Sequence, residues 1–262
     1  MDFETIQLTK EGPLARLTFN RPDVYNAMND QMTEDLLLAI QEVQLDEEIR
    51  ALLITGAGKS FHAGGDINSF QQAGETIHLY VDRLVINLHA AISRLVRMPK
   101  PVVGAVNGPA GGAGFSLMMA CDLAVASEDA VFTMAYTRIG ASPDGGSTFF
   151  LTRLLGVRRA MELALTNRVL SAREAMDWGL INKVCPAENL METAEELALQ
   201  LANGPTQAFG RAKQLLLHSL DHDLEKQLEL EARAIVESTM TEDFRNNTRA
   251  FVEKQPFSYK GK

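Results

Sequence analysis

The chain has 262 residues, 46% of them apolar and 23% charged, with 25 Lys and Arg against 34 Asp and Glu for a net charge of −9. Such a composition buries a core, which excludes a largely disordered, collagen-like or low-complexity chain. The acidic balance argues against broad contact with nucleic acid or an anionic membrane. Two cysteines, Cys121 and Cys185, are too few for a disulfide framework or a cysteine-rich metal site. No apolar run reaches the ~18 residues of a membrane span. The start, Met1-Asp2-Phe3-Glu4, has neither the basic nor the apolar region of a secretory leader. The expectation is a cytoplasmic protein with no nucleic-acid and no membrane partner.

In chain order, residues 3–8 and 14–19 read as a hairpin turning at Glu11-Gly12-Pro13. Asn29 or Asp30 caps a helix with Met32, Leu36, Ile40 and Val43 in helical register. Residues 50–55 form a short apolar run of buried-strand type, followed by a glycine-rich turn over 56–65. A long helix is predicted over 75–97, stopped by Pro99 and Pro101, and a second buried strand over 102–106. A second glycine loop, 108–114, precedes a helix at 115–120 and short strands at 123–126 and 131–135. Beyond Gly146 the pattern is mostly helical, with one strand at 181–185, and from 188 to the end all helical, broken at Gly204-Pro205. Strand–helix alternation followed by helices predicts an α/β core, residues 1–195, and a helical C-terminal region, residues 196–262.

Both glycine loops follow a buried strand and precede a helix, where backbone N–H groups and the helix dipole favour negative charge. Neither nucleotide motif is present. Gly58-Lys59-Ser60 lacks the earlier glycine of a P-loop, and Gly112-Ala113-Gly114 is followed by Phe115-Ser116-Leu117. Two N–H groups from separate turns converging on one carbonyl oxygen form an oxyanion hole; the plainer alternative is that the glycines only permit tight turns. Among the histidines, His89 is either acid/base or a helix-face residue, and His62 borders the first loop. His218 and His222 lie one helical turn apart without the glutamate of a zinc motif. Asp144, in Ser142-Pro143-Asp144-Gly145-Gly146, is by residue preference a turn or cap aspartate.

Several motifs in order carry a resemblance over nearly the whole chain. They are Arg21-Pro22 with Asn26-Ala27-Met28, Phe61-His62-Ala63-Gly64-Gly65-Asp66-Ile67, Pro99-Lys100-Pro101-Val102, Ala105-Val106-Asn107-Gly108, the run 111–122, Leu170-Ser171-Ala172, and Trp178-Gly179-Leu180. Together they resemble the crotonase, or enoyl-CoA hydratase/isomerase, superfamily. The resemblance implies a spiral of ββα turns with a C-terminal helical trimerisation region, assembled as a homotrimer or dimer of trimers. It implies an acyl-CoA thioester substrate and no metal, flavin or nicotinamide cofactor. By position, the N–H groups of Gly65 and Ala113 would form the oxyanion hole. Ala63, Gly64, Asp66, Ile67 and Asn68 would line the CoA, with Asp66 ordering the turn. Arg21, Lys59 and Lys254 are candidates for its phosphates, although Asp23 stands where relatives often carry lysine. Residues 70–95 would wall the pocket.

Hydratases of the family use two glutamates. Their positions here hold Ser116 and Tyr136, neither of which is a general base near neutral pH. Asp144 instead falls where two kinds of relative keep a catalytic aspartate. In 1,2-epoxyphenylacetyl-CoA isomerase and similar enoyl-CoA isomerases it shuttles a proton; in 4-chlorobenzoyl-CoA dehalogenase it is a nucleophile, with a histidine at the position of His89. The tryptophans that wall the dehalogenase pocket are absent, since Leu88 and Tyr136 stand at those places. The expectation is an enoyl-CoA isomerase using Asp144. The alternatives are an atypical hydratase, an aryl-CoA dehalogenase or hydrolase using Asp144 and His89, and a non-catalytic homologue binding acyl-CoA or RNA.

Overall fold

In the computed structural model, which describes residues 2–262, the chain opens with the hairpin β1 (Ile6–Glu11) and β2 (Leu14–Phe19), with Ile6 opposite Phe19. Helix α1 (Asp30–Leu45) follows, its N-terminus capped by Asn29, whose side chain accepts from the Met32 N–H. Strand β3 (Ala51–Gly56) runs parallel to β2, and helices α2 (Ile67–Ala73) and α3 (Ile77–Arg97) lead to β4 (Val102–Val106). Then come β5 (Ala110–Gly111), α4 (Ala113–Met119), β6 (Leu123–Ser127), β7 (Val131–Thr133) and α5 (Ser147–Thr166). The remaining elements are β8 (Leu170–Ser171), α6 (Ala172–Asp177), β9 (Lys183–Cys185), α7 (Leu190–Ala202), α8 (Thr206–His218), α9 (Leu224–Thr239) and α10 (Glu242–Glu253).

Six strands form one sheet in the order β1-β2-β3-β4-β6-β9, parallel from β2 onward, and β5, β7 and β8 form a second, smaller sheet. Single parallel bridges, Met28 to Gly65 and His62 to Ala110, extend this side pairing to the chain preceding α2. Each turn of the chain thus gives one segment to the large sheet, one to the small sheet, and a helix. This is the ββα spiral that the sequence motifs imply.

Strands β3 and β4 are buried on both faces, which explains their unbroken apolar sequences. Alternate residues serve different cores. Leu52, Ile54, Val102 and Val106 join the main core with α1 and α3, while Ala51, Leu53, Val103, Ala105 and Val125 pack against α7. Helix α7 meets the sheet through Leu190 and through Ala194, Ala198 and Ala202, three small residues on one face that let the backbones approach closely. The division at 195/196 therefore falls inside a helix that belongs to the sheet; the chain leaves the sheet after Gly204-Pro205. Beyond it, α9 buries none of its residues within the chain.

Several boundaries differ from expectation. The first strand lies at 6–11, and the long helix expected over 75–97 begins at Ile77, after the short helix α2 and a 3-10 turn at Gly74–Thr76. The strand expected over 131–135 stops at Thr133 because Ala135 turns the chain at φ 55°. The strand expected over 181–185 begins at Lys183, and β5 and β8 are pairings too short to carry a periodicity. Residues 255–262 are not helical but fold back on α10, where buried Asp243 accepts from the N–H groups of Lys260 at 2.6 Å and Gly261 at 2.8 Å.

Two buried charges tie helix α1 in place. Lys100 donates to the carbonyls of Val43 and Asp46 at the helix C-terminus, satisfying groups the helix leaves open. Asp35 is 4% exposed, and its Oδ2 accepts from Glu4 N–H, Thr5 N–H and the Thr5 hydroxyl at 2.7–3.0 Å. Asp35→Ala strands those donors and is expected to lower stability by about 2–4 kcal/mol, read as a fall in Tm, with Asp35→Asn losing less because it keeps an acceptor.

Candidate active site

A cavity of about 710 Å³ opens where the two glycine turns, the loop after β7, and helices α2 and α3 meet. Ala63, Gly64, Gly65 and Ile67 line one side, Gly112 and Ala113 another, and Tyr136 and Asp144 a third. Phe70, Ile77, Val81, Leu84 and Val85 supply an apolar wall from the stretch expected to provide it.

The turns touch backbone to backbone. A Cβ on Gly64, where φ is 97°, would lie 3.0 Å from the Gly111 carbonyl oxygen and 3.5 Å from the Ala113 nitrogen, so only glycine permits the approach. Ala113 is the first residue of α4, where an N–H has no intrahelical acceptor. Among the described residues neither the Gly65 nor the Ala113 N–H has a hydrogen-bond acceptor. Two open backbone donors therefore border one cavity, one of them at a helix N-terminus.

Asp144 comes close through a similar constraint. Gly145, at φ 59°, leaves no room for a Cβ, which would sit 2.8 Å from the Ser116 Cβ. The loop is thereby pressed onto α4, and the side chains meet: the Tyr136 hydroxyl donates to Asp144 Oδ1 at 2.6 Å and lies 2.9 Å from the Ser116 hydroxyl. Burial, then the adjacent carboxylate charge, raises the Tyr136 phenol far above its ordinary range, so it remains a proton donor. Ala135 adopts its left-handed conformation immediately before, a strain of about 1 kcal/mol that aims the tyrosine inward.

Other expected site residues have different places. Arg21 is committed to Asp66, both Nη atoms lying 3.0 Å from Oδ2, and Nη1 also donates to the Ala27 carbonyl, so it serves the fold in place of a phosphate. Asp66, 6% exposed, caps α2 through the N–H groups of Asn68 and Ser69, the turn-ordering part foreseen for it. Asn68 is exposed beside this cap and does not line the cavity, nor do Lys59 and Lys254. His89, exposed on α3, accepts from the Gly145 N–H through Nε2 at 3.1 Å. It braces the Asp144 loop from a neighbouring cavity that it shares with Phe149, His218 and Asp221. His218 pairs with Asp221, and His222 with Gln227.

His62 does not line the cavity but is wholly buried beneath both turns. Its Nδ1 accepts from the Gly64 N–H at 3.0 Å, its carbonyl accepts from the Gly111 N–H at 3.0 Å, and its ring meets Phe19 edge-on. Nothing in its sequence position distinguished this brace from a ligand contact. Accepting at Nδ1 requires the ring proton on Nε2, which has no partner among the described residues. Burial pushes the imidazole down to about 3. The unfolded chain then binds one more proton than the fold between about pH 6.5 and 3, so the stability associated with neutral His62 is full above the unfolded value and lost as pH falls. At pH 5 the loss is roughly 2 kcal/mol. Denaturant titrations from pH 7 to 4 are expected to show a steeper loss for the native protein than for His62→Asn, which keeps an acceptor but does not titrate.

Comparison with known proteins agrees with this architecture. The sequence profile of the enoyl-CoA hydratase/isomerase family matches residues 9–262. The chain is 39% identical over 256 residues to the 1,2-epoxyphenylacetyl-CoA isomerase of Escherichia coli (strain K12), covering 96% of this chain and 97% of that protein. It is 35% identical over 243 residues to 4-chlorobenzoyl coenzyme A dehalogenase-1 of Arthrobacter sp, covering 92% and 88%. The solved structure of an enoyl-CoA hydratase from Polaromonas sp. JS666 superposes with a TM-score of 0.93 at 34% identity, over 97% of this chain and 99% of that one. With a matching profile over nearly its full length and this spiral fold, the chain belongs to the enoyl-CoA hydratase/isomerase family of the crotonase superfamily.

Proposed function

We propose that the protein is an enoyl-CoA isomerase in which Asp144 moves a proton along the acyl chain. The observation that carries this is the pairing, in one cavity, of a single carboxylate with two open backbone N–H donors. The thioester oxygen sits between the N–H groups of Gly65 and Ala113. The Asp144 carboxylate removes a proton from the α-carbon of a 3-enoyl-CoA, and the C–H electrons pass into the conjugated system and onto that oxygen. The two donors stabilise the resulting dienolate. Asp144 returns the proton at the γ-carbon, giving the 2-enoyl thioester and restoring its carboxylate.

Ser116 and Tyr136 supply hydroxyls where hydratases hold glutamates, so no second carboxylate is at hand to activate water. His89 lends its Nε2 lone pair to the Gly145 N–H, which favours bracing over water activation for an aryl ester. The exposed Leu224, Leu228, Ile235 and Val236 on α9 support self-association as a homotrimer or dimer of trimers.

Asp144→Asn is expected to lower kcat for 3-enoyl-CoA by about 10²–10⁴-fold and to abolish deuterium uptake from heavy water. Undiminished conversion by the variant overturns the reading; tight binding of the thioester without conversion by the native protein favours a binding homologue. Ala113→Pro removes one donor at a first-turn position that tolerates proline, and kcat is expected to fall about 10²–10³-fold in steady-state assays while the fold persists.

A further inference from the structure

The isomerase reading leaves open which oxygen of Asp144 carries the proton. We infer that Tyr136 is a positioning residue that reserves Oδ1, so that Oδ2 alone takes the proton from the substrate and gives it back. The inference rests on that reading and on the following contacts.

The phenol reaches Oδ1 at 2.6 Å, the length of a charge-assisted O–H···O⁻ bond. No hydrogen bond reaches Oδ2 among the described residues, and both Tyr136 and Asp144 line the cavity. The tyrosine is itself held. The Ser116 hydroxyl lies 2.9 Å from the phenol, 3.1 Å from the Asp144 carbonyl and 3.3 Å from the Gly112 carbonyl. Ser116 is fully buried on α4, the helix that begins at Ala113. The chain Ser116–Tyr136–Asp144 therefore fixes the carboxylate relative to the backbone donor that would hold the thioester oxygen. With Oδ1 already accepting a proton that the phenol does not release, a proton taken from carbon binds Oδ2. Rotation of the acid group about its Cβ–Cγ bond would break the phenol contact. The proton is thus held on the cavity side, and a fraction of it returns to carbon before exchange with water. No net charge or atom is exchanged with Tyr136.

The test follows a label through one turnover. A 3-enoyl-CoA carrying deuterium at the α-carbon is converted in ordinary water, and the fraction of label found at the γ-carbon of the product is measured by mass spectrometry. The native protein is expected to transfer a measurable fraction. Tyr136→Phe is expected to lower kcat about tenfold, leave KM within about twofold, and cut the transferred fraction severalfold, because the acid group is free to turn and exchange with water. Ser116→Ala removes the hydroxyl that holds the phenol but leaves the phenol–carboxylate bond, and is expected to cut the transferred fraction less than Tyr136→Phe does. Tm measured alongside separates a folding defect, which lowers the amount of active protein but leaves the transferred fraction unchanged.

Native transfer and kcat in Tyr136→Phe overturn the role of the tyrosine, as does complete loss of label in the native protein. Conversion that survives Asp144→Asn, or a native protein that does not convert the substrate, overturns the isomerase reading itself. The two failures are thereby distinguished.

Discussion

The site depends on a backbone contact: the turn through Gly64 lies against the turn through Gly112, with no side-chain atom between them. Each turn ends a crossover from the large sheet, so the contact exists only because successive coils of the spiral stack in register. His62 is its fastener, accepting one N–H from each turn through two different atoms. A charged imidazole could not do this, because Nδ1 would carry a proton and face the Gly64 N–H. Keeping the ring neutral is therefore a condition on the geometry of both open donors, and burial enforces it.

An acidic chain that handles an anionic thioester must not spend negative charge near the reacting carbonyl. Two acids of the glycine-turn region are dealt with differently. Asp66 is neutralised by Arg21 and by the N-terminus of α2, which takes its charge out of the site and makes it a part of the turn. Among the described residues Asp144 has no cation partner, and its side chain's one hydrogen bond comes from a phenol that remains protonated. One carboxylate is structural and the other open to chemistry, and the difference is made by the arginine at the end of the first hairpin rather than by the acids themselves.

The large-scale fold was legible because it rests on burial. Continuous apolar runs marked β3 and β4, and helical spacing marked α1, since water excludes those patterns from the surface regardless of distant partners. The short strands β5 and β8 were not legible, because a two-residue pairing carries no period and exists only where a neighbouring coil presents its edge. The same division holds in the site. The resemblance pointed to Gly65, Ala113, Asp144 and the stretch 70–95, and the structure brings residues of all four to one cavity. The contact of Tyr136 with Asp144 was not, because it needs the left-handed turn at Ala135 and the close packing of Gly145 on Ser116. Arg21 shows the opposite error: a cation at a family-like place is read as a ligand contact until its partner, Asp66, is seen beside it.

The replacement of two acids by hydroxyls changes what the cavity can be asked to do. Two carboxylates flanking a double bond hold a water between them and divide its protons. A serine and a tyrosine that bond to each other and to a third group have no such freedom, since the phenol proton points to Asp144 and the serine hydroxyl lies within reach of two carbonyls and the phenol. What remains, among the described residues, is one carboxylate oxygen without a hydrogen-bond partner, in the same cavity as two N–H groups without acceptors and an apolar wall. On the proposed reading, that arrangement favours moving a proton between carbons of a bound chain. The negative charge then only alternates between Asp144 and the thioester oxygen, and each resting place has its own donors.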